Sequence, residues 1–183
     1  MEICFETPRL YLTKFLKDKE AIGIYQEWMH DRTINKWFSQ NNEFMSLKEI
    51  KEWAVENYNL PYSFSIINKI NEELIGRIKL QYISSNRYVL CICIGNKSSR
   101  SKGLGTEAVN RVVNFAFEDL AANSIELTVI KENLPAIRCY EKCGFIRTGV
   151  HRQTDFYGGQ YHDSISMDIL RSDWENKRGH SDE

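Results

Sequence analysis

The chain has 183 residues, 42% of them apolar and 12% aromatic, which suffices for the core of one globular domain. A formal net charge of −1 gives no long-range attraction to nucleic acid or an anionic membrane, so neither is expected as a partner. No apolar run approaches the ~20 residues of a membrane span, the start lacks a secretory pattern, and five cysteines without a regular framework read as reduced thiols, so a cytoplasmic protein is expected.

In chain order, Ile3 to Phe15 reads as an extended start, with Arg9-Leu10-Tyr11-Leu12-Thr13 alternating in the period of a strand. Asp18 offers a helix cap, and Ala21, Ile22, Tyr25, Trp28 and Met29 recur at helical spacing. From Trp28 to Phe38 aromatic and polar residues mix without periodicity, which suits a loop or short helix beside a cleft. Ser46-Leu47-Lys48-Glu49 is a capping box, Met45 and Ile50 are placed for a hydrophobic staple, and Pro61 forbids further helix. Tyr62 to Ile67 and Leu74 to Tyr82 predict two strands joined by a polar turn. Tyr88 to Ile94 is nearly unbroken in apolar residues, which predicts a strand at the sheet's centre, buried on both faces.

A helix to about Leu120 follows, with Ala108, Val109, Val112, Val113, Phe115 and Ala116 as its buried stripe. Ile125 to Ile130 is a short β-branched strand, Asn133 caps the next helix with Pro135 in its first turn, and Gly144 ends it. Phe145 to Val150 and Tyr161 to Leu170 predict two last strands connected through Asp155-Phe156-Tyr157-Gly158-Gly159. The expected organisation is a single domain over residues 1–174 and a polar tail over 175–183, with no internal repeat.

Between the central strand and the long helix lies Arg100-Ser101-Lys102-Gly103-Leu104-Gly105-Thr106. Two glycines let main-chain amides approach a ligand, the helix's first turn adds free N–H groups, and Arg100 and Lys102 add charge at the rim. The turn reads as a cradle for a diphosphate. It lacks the spacing and Gly-Lys-Ser/Thr end of a Walker loop and the third glycine of the dinucleotide fingerprint. No zinc template matches the His and Cys spacings, so no metal is expected.

Arg100-x-x-Gly103-x-Gly105 resembles the pyrophosphate loop of the GNAT superfamily, the acetyl-CoA-dependent N-acetyltransferases. Asn133-Leu134-Pro135-Ala136-Ile137-Arg138-Cys139-Tyr140-Glu141-Lys142-Cys143-Gly144-Phe145 resembles that family's second signature. Ile94-Gly95-Asn96-Lys97-Ser98 and Gly159-Gln160-Tyr161-His162-Asp163 are most similar to the branch holding ribosomal-protein-alanine and spermidine acetyltransferases.

The resemblance implies an α/β (α+β) fold with a mixed, largely antiparallel sheet flanked by helices. It implies acetyl transfer from acetyl-CoA to a primary amine by direct attack, the amine belonging to a protein N-terminus, a polyamine or another small molecule. It places Ile92, Cys93 and Ile94 beside the pantetheine arm, Asn133 near the cofactor and Tyr140 as the acid for the departing thiolate. Trp28, Phe38 and Tyr157 become acceptor contacts. At reference values a phenol, at about 10, is a weaker acid than a thiol, at about 8.5, so a hydrogen bond to the sulfur is an alternative to outright proton transfer. Many relatives carry a strand Glu where this chain has Val89, which leaves His151, Asp155, Asp163 and Glu43 as candidate bases. Glu27, Asp31 and Glu43 would serve a carboxylate-lined cleft for a polyamine. A CoA-binding sensor of the same fold is the alternative, and dimers are common among similar proteins.

Overall fold

The computed structural model describes residues 1–37 and 45–179. Phe38 and Glu43 lie outside the described residues. Eight strands form one sheet in the order β1-β2-β3-β4-β5-β6-β8-β7. They are β1 (Ile3–Glu6), β2 (Leu10–Lys14), β3 (Ser63–Asn68), β4 (Leu74–Ser84), β5 (Arg87–Ile94), β6 (Ser124–Ile130), β7 (Ile146–Tyr157) and β8 (Gln160–Leu170). Neighbours pair antiparallel, except that β5 and β6 run parallel. The helices are α1 (Lys19–His30), α2 (Arg32–Asn35), α3 (Leu47–Asn59), α4 (Leu104–Glu118), α5 (Leu134–Cys143) and α6 (Arg171–Gly179). This is the mixed, largely antiparallel sheet with flanking helices that the sequence predicts. Among the described residues, no helix is long and apolar enough to cross a membrane.

Each face of the sheet carries its own core. On one, α4 and α5 press Val109, Val112, Ala116 and Ile137 onto Leu12, Ile66, Ile78, Ile125 and Ile169. On the other, α1 and α3 bring Tyr25, Trp28, Ile50 and Ala54 to Phe15, Ile67 and Leu74. A fully buried Ile or Leu contributes about 1.5–3 kcal/mol, so both faces contribute substantially to stability. The second core is polar at one point and satisfied there: Ser65 Oγ bonds the Tyr25 hydroxyl at 2.9 Å and accepts the Leu16 amide at 3.0 Å.

Local signals set the helix starts. Asp18 accepts the amides of Glu20 and Ala21 at the head of α1. Ser46 and Glu49 form the reciprocal capping box of α3, and Asn133 Oδ1 accepts the Ala136 amide at 3.3 Å.

Two expectations change. β7 and β8 run on to a two-residue turn at Gly158–Gly159, so Asp155, Phe156 and Tyr157 are strand rather than connection. The polar tail expected from 175 onward instead begins inside α6. Trp174 stacks on Phe117 with ring centroids 5.3 Å apart and donates to Asn114 Oδ1 at 2.8 Å, while Lys177 reaches the Lys142 carbonyl at 2.8 Å. Trp174 and these polar bonds, with Arg171 donating to the carbonyls of Phe117 and Ala122, dock an otherwise polar helix.

Candidate active site

β5 and β6 share a ladder only at Arg87/Ser124, Tyr88/Ile125 and Val89/Glu126. Beyond that they part, and between them opens a cleft of about 1110 Å³. Leu90, Cys91, Ile92, Cys93 and Ile94 line one side, Thr128 and Val129 the other. The apolar run of β5 is therefore not buried on both faces as expected. Cys91 to Ile94 are half-buried, because the strand that would cover them has moved away. An edge with unpaired main-chain groups can hydrogen-bond an extended, amide-bearing ligand as another strand would.

The chain leaves β5 through Gly95 and a 3₁₀ turn, Lys97–Ser99, whose cap Asn96 accepts the Ser99 amide at 3.1 Å. Ser101 (φ 59°) and Gly103 (φ 77°) then both take left-handed backbone, which turns successive amides toward one side. Gly103 is the cap of α4 and has no side chain to occupy the first-turn amides. Ser101, Gly103, Gly105 and Thr106 line the cleft.

The charged members of the loop serve it differently from the expected rim of cations. Arg100 lines the cleft, but its Nε and Nη2 donate to the carbonyls of Ile94 (3.0 Å) and Gly95 (2.7 Å), fastening the loop to the end of β5. Lys102 is not among the lining residues, and Leu104 is buried in the core. Positive charge comes instead from Arg138 and Lys142, one turn apart on α5. Both stand inside the Asn133–Phe145 signature, whose pattern alone gives them no such place.

α5 supplies the facing wall with Asn133 and Tyr140. Tyr140 is 8% exposed, packs on Phe145 at 5.9 Å, and burial pushes its hydroxyl well above the usual phenol range. It therefore keeps its proton at neutral pH and can donate a hydrogen bond. Full transfer to a thiolate, uphill at reference values, is harder still.

At the far end α2 and α3 bring Ile34, Trp37, Trp53 and the carboxylates of Glu49, Glu52 and Glu56 to the same cleft. Arg77 and Lys79 of β4 line it as well, Arg77 lying 5.1 Å from the Trp53 ring centre. Glu49 is committed to the Ser46 cap, whereas Glu52 and Glu56 are exposed. The sequence reading missed this row, although positions 49, 52 and 56 fall on one helical face and their spacing was the signal.

The acceptor residues expected from sequence fare unevenly. Trp28 does not line the cleft; it packs edge-on against Tyr25 at 5.6 Å and lies beneath Gly95. Tyr157 does not line it either. Its ring stacks on His162 at 3.6 Å and meets Trp37 edge-on at 6.2 Å, supporting a residue that does. Of the candidate bases, His151 bonds Ser166, Asp155 is buried and bonded by Ser164, and Asp163 pairs with Lys131 at 3.4 Å. All three sit on β7 and β8 and none lines the cleft. Asp31 pairs with Lys97 at 2.9 Å, and neither it nor Glu27 lines the cleft.

The chain also has counterparts among known proteins in sequence and in fold. The family model "Acetyltransferase (GNAT) domain" matches residues 9–146. The chain is 45% identical over 152 residues to an aminoglycoside N(6')-acetyltransferase type 1 of Klebsiella pneumoniae, covering 75% of each chain. It is 34% identical over 115 residues to a probable N-acetyltransferase, YjcK, of Bacillus subtilis, covering 61% of this chain and 63% of that one. The spermidine N-acetyltransferase of Vibrio cholerae, solved with CoA and spermine, superimposes with a TM-score of 0.80 at 24% identity, over 92% of this chain and 99% of that one. The loop and the second signature both fall within or against the matched span, and the chain belongs to the GNAT acetyltransferase family.

Proposed function

We propose that the protein transfers an acetyl group from acetyl-CoA to a primary amine of a small, multiply charged acceptor such as an aminoglycoside or a polyamine. The observation that carries this reading is the continuity of the cleft. One space runs from the amides of Ser101–Thr106, past the free edge of β5 and Tyr140, to the carboxylates of α3. The cofactor's diphosphate would lie on the loop amides near Arg138 and Lys142, and the pantetheine arm along Cys91 to Ile94. Glu52 and Glu56 would hold the cationic groups of the acceptor. Similarity to an aminoglycoside and a spermidine acetyltransferase supports the same acceptor class.

In this arrangement the attacking amine forms the new C–N bond as the thioester C–S bond breaks. Tyr140 donates a hydrogen bond to the departing sulfur. With Val89 in place of a strand carboxylate, Glu52 and Glu56 are the cleft carboxylates free of a capping role, and the amine's proton leaves through one of them or through water. Direct attack is preferred over an acetyl-cysteine route: burial pushes Cys93 up to about 11, and neither Cys93 nor Cys139 has a histidine base among the described residues that line the cleft.

The test is thiol release from acetyl-CoA with kanamycin, spermidine and an Ala-starting peptide as acceptors. Turnover with the two polycations and little with the peptide is expected. Preference for the peptide would overturn the acceptor assignment, and tight CoA binding without turnover on any amine would favour a sensor.

A further inference from the structure

The turn between β1 and β2 reaches across to the start of α4. Glu107, in the first turn of that helix, accepts from Thr7 Oγ1 at 2.6 Å, the Arg9 amide at 2.8 Å and Arg9 Nε at 2.6 Å. The same guanidinium donates through Nη1 to the Lys102 carbonyl at 2.8 Å. It also lies against Gly103, where a Cβ would stand 3.4 Å from Arg9 Nη2.

The consequence follows from peptide geometry. The Lys102–Gly103 peptide bond is trans, so the C=O of Lys102 and the N–H of Gly103 point in opposite directions. With the carbonyl held on Arg9, the amide faces away from Arg9, and Gly103 is the member of that pair that lines the cleft. Ser101, one residue before this peptide, and Gly103, which ends it, are both left-handed, and for Ser101 that conformation is unfavourable. The bond from Arg9 to the Lys102 carbonyl supports it from outside the loop. Arg9 also neutralises Glu107, a carboxylate that would otherwise oppose a phosphate at the helix start. The arginine side chain is 45% exposed, so the ion pair by itself adds little to stability.

We infer that Arg9 is a positioning residue for the cofactor: by holding the Lys102 carbonyl it aims the Gly103 amide at the diphosphate of acetyl-CoA. This rests on the reading of residues 100–106 as the diphosphate cradle. Calorimetric titration of the whole protein with CoA and with pantetheine, which lacks the diphosphate, separates positioning from general loss of structure. Arg9→Ala is expected to weaken CoA binding about tenfold, the loss of one hydrogen bond to a charged donor, and to leave pantetheine binding unchanged. Arg9→Lys should stay close to Arg9→Ala, because one ammonium cannot serve Glu107 and the Lys102 carbonyl in a fork. Equal weakening of both ligands, unchanged CoA affinity in Arg9→Ala, or native affinity in Arg9→Lys would each overturn the proposal. Absence of CoA binding in the unaltered protein would remove the cradle reading along with it.

Discussion

Thr106 Oγ1 donates to Cys139 Sγ at 3.4 Å and so ties the first turn of α4 to α5 at the loop end of the cleft. Its neighbour Cys143, the Thr106 hydroxyl and the charge of Lys142 hold Cys139 below the ordinary thiol range, against the opposing cost of burial. Cys143, the other half of this pair, moves up. Cys139 should therefore be the first thiol in the cleft to react with iodoacetamide, at a rate that rises below the ordinary thiol value near 8.5 rather than at it. Cys139 lines the cleft that would hold acetyl-CoA, so saturating cofactor should protect it. Mass spectrometry of tryptic peptides checks both; preferential labelling of Cys93 would contradict the assignment.

Tyr140→Phe removes the hydroxyl and keeps the ring's packing on Phe145. If the hydroxyl only hydrogen-bonds the leaving sulfur, kcat should fall about ten- to a hundredfold with CoA affinity unchanged, which is short of the full range for general acids. Because burial raises this tyrosine, the native enzyme should show no loss of kcat from its ionisation up to about pH 10. An unaltered rate in the variant would exclude Tyr140 from the leaving-group contact.

Much of the fold was legible because its signals are local. The Asp18 and Ser46 caps and the Asn133 start each depend on a few neighbouring residues, and the structure shows each bond. The site was less legible, because cleft-lining and core residues share a chemistry. Ile92 and Ile94 look like any buried strand, and only the divergence of β6 after Glu126, a long-range event, leaves them half-covered. Trp28 shows the same ambiguity in reverse, an aromatic beside a polar stretch that proves to be core. The carboxylates of α3 were visible as one helical face. A solvated face has the same pattern, and the cleft becomes apparent only once β4 and α5 are in place.

Glu52→Gln with Glu56→Gln removes two charges from exposed positions whose side chains take no part in a core, so the fold should be unaffected. If they hold a polycation, KM for kanamycin or spermidine should rise about three- to thirtyfold, with KM for acetyl-CoA unchanged. The rise should shrink in high salt, since exposed charges are screened. Steady-state kinetics at two ionic strengths provides the check, and equal changes in both KM values would place the effect elsewhere.

Gly95 is required by its neighbour rather than by its backbone angles. A Cβ there would fall 2.0–2.5 Å from three ring atoms of Trp28, which is boxed in by Tyr25 and cannot swing aside cheaply. Gly95→Ala should therefore destabilise by about 1–3 kcal/mol, the usual cost of overpacking. Combining it with Trp28→Leu should recover part of the loss, which a double-mutant cycle in urea would show as a coupling between the two sites. Additivity would mean that the ring moves freely. The result also bears on function, since Trp28 under Gly95 anchors the exit of β5 into the loop.

Asp31 joins α2 to the turn that follows β5. It caps α2 through the Thr33 amide at 2.9 Å and Thr33 Oγ1 at 2.8 Å, and it accepts Lys97 Nζ at 2.9 Å from the turn that precedes the loop. Desolvation works to raise its pKa, but the bonds from Lys97 and Thr33 outweigh it and hold the carboxyl at about 2. The unfolded value is about 3.9, so the folded value is depressed, and the stabilisation is fully present above the unfolded pKa and lost as pH falls toward about 2. Urea midpoints of the native protein and Asp31→Asn should therefore differ most near pH 6, and the gap should narrow steadily from about pH 5 to about pH 3. Other carboxylates titrate in both proteins, and the difference between them isolates this one. A gap that stays constant over that range would assign the effect to the neutral hydrogen bonds of the cap and leave the Lys97 pair without a measurable share.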